Sequence, residues 1–132
     1  MTIRVSRDKS GPMQHRISIR EHTITTDVDV ATGGEDAGPS PHDLYDSALG
    51  ACKALTLLWY AKRKQIPVDD IQVAVERDDT DVKSGIYRLK TSIAITGDVS
   101  AEQRAELLNV AGKCPIHKLM TQITTEIETV LI

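Results

Sequence analysis

Alternating apolar and polar residues predict strands in three parts of the chain. Residues 2–8 alternate around Ile3 and Val5, and residues 14–30 carry apolar side chains at mostly even spacings. Such alternation is typical of strands with one half-buried face, which predicts an N-terminal meander of three strands. Two further segments alternate, 69–77 and 87–95, and are separated by a polar turn. They predict a strand and its returning neighbour.

The C-terminal end of the chain alternates as well. Apolar and polar side chains take turns from Ile123 to Ile132. The same rule of period two predicts a last strand there.

The longest predicted helix follows a loop that is rich in glycine and proline, residues 32–41. Ser40 fits the N-cap and Pro41 the first helical position. Apolar residues then recur at helical spacing, and the segment 47–60 carries a single charge, Lys53. A helix that is apolar around most of its circumference is expected to be buried on several sides.

Two shorter helices are predicted after the paired strands. Ser100 and Gln103 form a capping box that begins a helix over about 101–112. Cys114 fits the N-cap of a third helix, with Pro115 as its first residue. The predicted order is βββ–α–ββ–α–α–β, which is an α+β fold in a single domain, residues 1–132.

Composition and charge narrow the classes of protein. Phenylalanine is absent, so the predicted core is aliphatic, and the net charge of −3 argues against a nucleic-acid partner. The longest apolar run, 54–61, is too short to span a membrane. The first nine residues lack the apolar segment of a signal peptide. Together with only two cysteines, these features predict a cytoplasmic protein, in which a disulfide would be transient or catalytic.

The two cysteines are the candidate reactive groups. Cys52 falls within the apolar helix and Cys114 at a helix start, a separation unlike that of a Cys-x-x-Cys motif. The pair suits thiol chemistry in which one sulfur attacks and the other resolves. The reactive species is a thiolate, and Cys52 in mid-helix gains nothing from a helix N-terminus. Its stabilising cation or donor must come from elsewhere, and the candidates are His42, Lys113, His117 or a second chain.

Other interpretations of these residues remain open. Cys114 as an N-cap would face the free N–H groups of the first helical turn, which stabilise a thiolate. It could instead be a small buried cap, and Cys52 an inert core residue. Together with His117, the two cysteines would also supply three ligands of a zinc site. His42 is either an exposed first-turn residue or a group that relays the thiol proton.

In its motifs the chain resembles the OsmC/Ohr family from about residue 30 to the C-terminus. The segments that match are Gly38–Pro41 leading into Leu44, Leu49–Cys52, Trp59–Lys64, Gly97 and Lys113–His117. The resemblance implies thiol peroxidases that form intertwined homodimers, in which sheets from both chains wrap two long central helices. It also implies that Cys52 is peroxidatic, that Cys114 is resolving, and that the site lies at the dimer interface.

Two positions depart from the family pattern. His42 stands where the family has a glutamate, ten residues before the reactive cysteine, and Thr32 stands where it has an arginine. The predicted function is reduction of organic hydroperoxides through a Cys52 sulfenic acid and a Cys52–Cys114 disulfide, regenerated by a dithiol of lipoyl type. No metal or other cofactor is expected. The alternatives are a dimeric small-molecule-binding protein without efficient turnover and a structural dimer with inert thiols.

Overall fold

The computed structural model describes all residues, 1–132, and divides the chain into two compact units, Met1–Tyr45 and Asp46–Ile132. The element order is β1, β2, β3, α1, β4, β5, α2, α3, with short 3₁₀ turns at Val30–Thr32 and Val82–Ser84. This is the α+β fold that the sequence predicts, apart from the last strand. The single domain stays a prediction. None of the helices is both long enough and apolar enough to cross a membrane.

The first unit is the predicted three-stranded meander. Antiparallel pairing joins β1 (Ile3–Arg7) to β2 (His15–Ile19) and β2 to β3 (His22–Thr26). In register, Val5 lies opposite Ile17, and Ile17 lies opposite Ile24. The apolar positions of the three strands therefore form one row across the sheet.

Helix α1 (Pro41–Lys64) begins where the sequence predicts. The hydroxyl of Ser40 accepts a hydrogen bond from the Asp43 N–H, and the Asp43 carboxylate accepts one from the Ser40 N–H. This reciprocal cap satisfies two backbone donors at the start of the helix. The 24-residue helix starts in the first unit and continues into the second.

The second unit packs α1 against a two-stranded sheet. Strands β4 (Val68–Asp78) and β5 (Arg88–Gly97) pair antiparallel, with Ile71 opposite Ile95 and Val73 opposite Ile93. Helix α2 is Ala101–Ala111 and helix α3 is Pro115–Thr121. The core is aliphatic, as predicted, and its buried residues are Leu57, Ala61, Ile66, Leu107 and Ala111.

Gly97 shows why one position of the matched motifs requires glycine. Its φ of +128° lies in a region that L side chains rarely adopt, and a Cβ there would be 2.4 Å from the Pro67 carbonyl oxygen. The end of β5 therefore approaches the residue before β4 too closely for any side chain.

The predicted strand over Ile123–Ile132 is wrong for the single chain. No strand follows α3, and Ile127, Leu131 and Ile132 are exposed. A strand needs a neighbour for its backbone hydrogen bonds, and alternation alone does not supply that neighbour.

Helix α1 is covered on only one side within a single chain. Its buried positions form one face, Asp46, Leu49, Gly50, Lys53, Leu57 and Ala61. Leu55, Leu58 and Trp59 are exposed. In one chain the sheet therefore covers only one side of the helix.

Candidate functional site: a thiol pair beside a buried lysine

Cys52 lies in the middle of α1 and is half-buried, and its thiol is free. The N–H of Ile116 donates to its sulfur across 3.5 Å, and the Thr56 hydroxyl lies 3.9 Å from the same sulfur, one helical turn later. Ile116 is the second residue of α3. Its N–H is one of the four that a helix leaves without an internal partner, and such groups stabilise a thiolate.

This contact corrects two expectations. Cys52 does gain from a helix N-terminus, because it receives an N–H of α3 rather than of its own helix. Cys114 does occupy the N-cap of α3, as predicted, but its side chain makes no capping hydrogen bond. The first turn of α3 therefore donates to Cys52, and not to the cysteine that precedes it.

Cys114 is fully buried, and its thiol is also free. The segment that carries Cys114 lies next to Cys52. Ile116, two residues after Cys114, contacts the Cys52 sulfur through its N–H. In the reduced form the two thiols thus occupy neighbouring segments of α1 and α3, although 62 positions separate them along the chain.

Lys53 is a site residue whose role the sequence did not reveal. It is only 3% exposed. Its ammonium donates to the Ala111 carbonyl oxygen at 2.7 Å and contacts Nδ1 of His117 at 3.0 Å. The sequence did carry one signal of this role, a lone charge within an apolar helix. A lysine is almost never fully buried without partners, so such a charge indicates that partners exist. Both partners lie about 60 residues away, so the sequence did not indicate them.

Of the other residues predicted to act on the Cys52 thiol, the structure places only one beside Lys53. His117 joins the site through Lys53, whereas Lys113 is exposed. His42 is exposed in the first turn of α1, and its role as a proton relay stays a prediction. No three His, Cys, Asp or Glu side chains lie together as a group that could hold a metal ion.

A second polar cluster anchors the same face of α1. Asp46 is buried and accepts hydrogen bonds from Arg77 Nε at 2.5 Å and from the Tyr87 hydroxyl at 2.6 Å. Burial raises the pKa of Tyr87, and its bond to the Asp46 carboxylate raises that pKa further. The cluster joins the helix to β4 and to the residue that precedes β5.

The family model for OsmC-like proteins matches residues 32–129 of this chain. The chain belongs to the OsmC-like family. No curated protein matches it. The family match covers the loop before α1, both cysteines and all three helices, and it confirms the resemblance seen in the sequence motifs.

Solved structures share the OsmC-like fold. An OsmC-like protein from Mycoplasma pneumoniae aligns with a TM-score of 0.74 at 20% identity, over 92% of this chain and 87% of that one. The organic hydroperoxide resistance protein OhrB of Bacillus subtilis aligns with a TM-score of 0.59 at 22% identity, over 92% of both chains. A Psychrobacter arcticus 273-4 protein, named for osmotic stress induction and a detoxification response, has a TM-score of 0.76 at 20% identity, over 92% and 89%.

Proposed function

We propose that this OsmC-like protein is a thiol peroxidase that reduces organic hydroperoxides. The observation that supports it is the hydrogen bond from the Ile116 N–H to the Cys52 sulfur. It gives the half-buried thiol a donor that favours the thiolate, and it belongs to the segment that carries the second thiol. The hydroperoxide-resistance names of two solved relatives, from Bacillus subtilis and Legionella pneumophila, agree with this substrate class.

The proposed reaction begins at Cys52. Its thiolate attacks the terminal peroxide oxygen, the O–O bond breaks, and the alcohol leaves with a proton, so that Cys52 becomes a sulfenic acid. The Cys114 sulfur then attacks the Cys52 sulfur, the S–O bond breaks, and water leaves. Two thiols and one hydroperoxide give one disulfide, one alcohol and one water. A dithiol of lipoyl type would reduce the disulfide by thiol–disulfide exchange.

His42 and a second chain complete the proposal. His42 would relay the Cys52 proton in place of the family glutamate. A homodimer would cover the exposed apolar face of α1, which Leu55, Leu58 and Trp59 form.

Turnover with a dithiol tests the function. The protein should consume an alkyl hydroperoxide in the presence of dihydrolipoamide, and Cys52→Ser should abolish that consumption. Cys114→Ser should trap the sulfenic acid at Cys52. If the Cys52→Ser protein consumes hydroperoxide at the wild-type rate, Cys52 is not the peroxidatic residue.

One observation favours the alternative of a binding protein. A cleft of about 230 Å³ lies beside β5 and α2, and its lining is apolar except for Arg104. The remaining lining residues are Leu57, Ile93, Ile95 and Leu108. If hydroperoxides leave both thiols unchanged while a small apolar carboxylate binds this cleft, the binding function is the correct one.

A further inference from the structure

Lys53 is a buried cation without a negative partner. Both groups that hold its ammonium, the Ala111 carbonyl and the His117 imidazole, are neutral acceptors. An ammonium can only donate, so Nδ1 of His117 accepts, and the neutral imidazole carries its proton on Nε2. A buried charge is costly unless it is paired, and an apolar residue would fill the same space at lower cost. The cation therefore calls for a function beyond packing.

The partners of Lys53 flank Cys114. Ala111 is the last residue of α2, His117 is the third residue of α3, and Cys114 lies midway between them. The preceding residue of α1, Cys52, contacts the same segment through the Ile116 N–H. Two adjacent residues of α1 thus hold the segment 111–117 at three points.

The two thiols differ in what can stabilise their anions. Cys52 is half-buried and has the Ile116 N–H as a donor. Cys114 is fully buried and makes no bond to the N–H groups of its own helix. A Cys114 thiolate would therefore have neither water nor an N–H of its own helix to stabilise it. Of the two cysteines, Cys114 is the one whose anion needs a nearby positive charge.

We propose that Lys53 is a positioning residue for the resolving step, which rests on the proposed function of the thiol pair. Its ammonium fixes the segment 111–117 against α1 and supplies the positive charge that compensates the Cys114 thiolate. In that step Cys114 first loses its proton, its thiolate attacks the Cys52 sulfenic sulfur, and the S–O bond breaks. The leaving hydroxide takes up one proton, equal to the one that Cys114 lost, and departs as water. The disulfide is neutral, so the compensation acts before the bond forms.

Rapid mixing with one equivalent of an alkyl hydroperoxide, followed by quenching and mass spectrometry, separates the two steps. Lys53→Met removes the charge, Lys53→Arg keeps it, and Lys62→Met is the matched control at an exposed lysine of the same helix. Sulfenic acid should form in Lys53→Met at close to the wild-type rate. Disulfide closure should slow by about tenfold or more, because exchange rates follow the thiolate fraction. Lys53→Arg should recover most of the closure rate, and Lys62→Met should match the wild type.

A second readout needs no peroxide. In a Cys52→Ser background, the ultraviolet absorbance of the Cys114 thiolate should appear at higher pH in Lys53→Met than with Lys53 present. Lys53→Gln, which keeps a hydrogen-bond donor without the charge, should behave like Lys53→Met. Circular dichroism identifies the folded variants. If neither thiol of the wild type reacts with hydroperoxide, the proposed function is wrong. The absorbance comparison still tests whether Lys53 stabilises the Cys114 thiolate.

Three results would overturn the role of Lys53. One is closure in Lys53→Met at the wild-type rate. Another is a folded Lys53→Arg protein that closes as slowly as Lys53→Met. The third is a thiolate titration in Lys53→Gln that matches the protein with Lys53.

Discussion

At the scale of residues, the two cysteines lie in neighbouring segments but have different surroundings. Cys52 has partial exposure and an N–H donor from another helix, whereas Cys114 is sealed in the core. The sequence could identify both cysteines and the N-cap position of Cys114, because each depends on neighbours in the chain. It could not pair Ile116 with Cys52, or Lys53 with His117, because each of these contacts spans 64 positions.

His42, an exposed residue in the first turn of α1, is the proposed proton relay for Cys52. If it relays the Cys52 proton, His42→Ala should slow alkylation of Cys52 at neutral pH by about tenfold or more, since a positioned general base typically contributes about 10²–10⁴-fold. Peptide mapping after timed iodoacetamide treatment measures the rate. His22→Ala, at an exposed histidine of β3, is the matched control. An unchanged rate in His42→Ala would leave Ile116 and Lys53 as the groups that act on the thiols.

The hydrogen bonds of Asp27 predict how the order of the loop after β3 depends on pH. The pKa of its carboxyl lies below the usual value because the N–H groups of Ala37, Val28 and Glu35 donate to it. A lowered folded-state pKa stabilises the fold above the unfolded value of about 3.9, and that stability is lost as pH falls through the folded value. Amide protection of Glu35 and Ala37 should therefore persist to about pH 5 and fall below about pH 4.

Hydrogen exchange, corrected for the intrinsic rate at each pH, measures that protection. Asp27→Asn should lower it already at neutral pH, because the amide nitrogen cannot accept and the side chain must lose at least one of the three backbone N–H groups that now donate to the carboxylate. Glu21→Gln, at an exposed carboxyl of the same unit, should leave it unchanged. Protection in Asp27→Asn equal to that of the wild type would show that the carboxylate does not order this loop.

At the scale of elements, periodic patterns and capping residues predicted the three α-helices and the five strands that pair within one chain. These elements depend on local rules, such as the capping box of Ser100 and Gln103, which the structure confirms. The expected strand over 123–132 failed because its pairing is not local. The burial of α1 on several sides stays a prediction, since one chain supplies a single two-stranded sheet that covers only one side of the helix.

Gly50 tests the contact between α1 and the sheet. A Cβ at this position would lie 2.8 Å from Cγ2 of Val75 on β4. Gly50→Ala should therefore lower the free energy of unfolding by about 1–2 kcal/mol, because overpacking outweighs the better helix propensity of alanine. Val75→Ala removes the clash, so that Gly50→Ala should be neutral or stabilising in that background. Urea denaturation of the four proteins measures the cycle, and equal effects of Gly50→Ala in both backgrounds would contradict the contact.

At the scale of the whole molecule, the exposed apolar face of α1 predicts a homodimer. Multi-angle light scattering at micromolar concentration should give twice the chain mass of 14.5 kDa. Leu55→Glu places a charge on this exposed face and should shift the mass to that of one chain, since a buried unpaired carboxylate opposes association. Lys62→Glu at the end of the same helix should stay dimeric. A wild-type mass of one chain would contradict the dimer.

The central claim is that Cys52 and Cys114 form one reactive pair, and intact-protein mass spectrometry tests it most directly. One equivalent of an alkyl hydroperoxide, added to the reduced protein without any other reductant, should lower the mass of each chain by two hydrogens. Peptide mapping should then place the bond between Cys52 and Cys114. Unchanged mass with two free thiols, or oxidation of Cys114 while Cys52 stays reduced, would contradict the account.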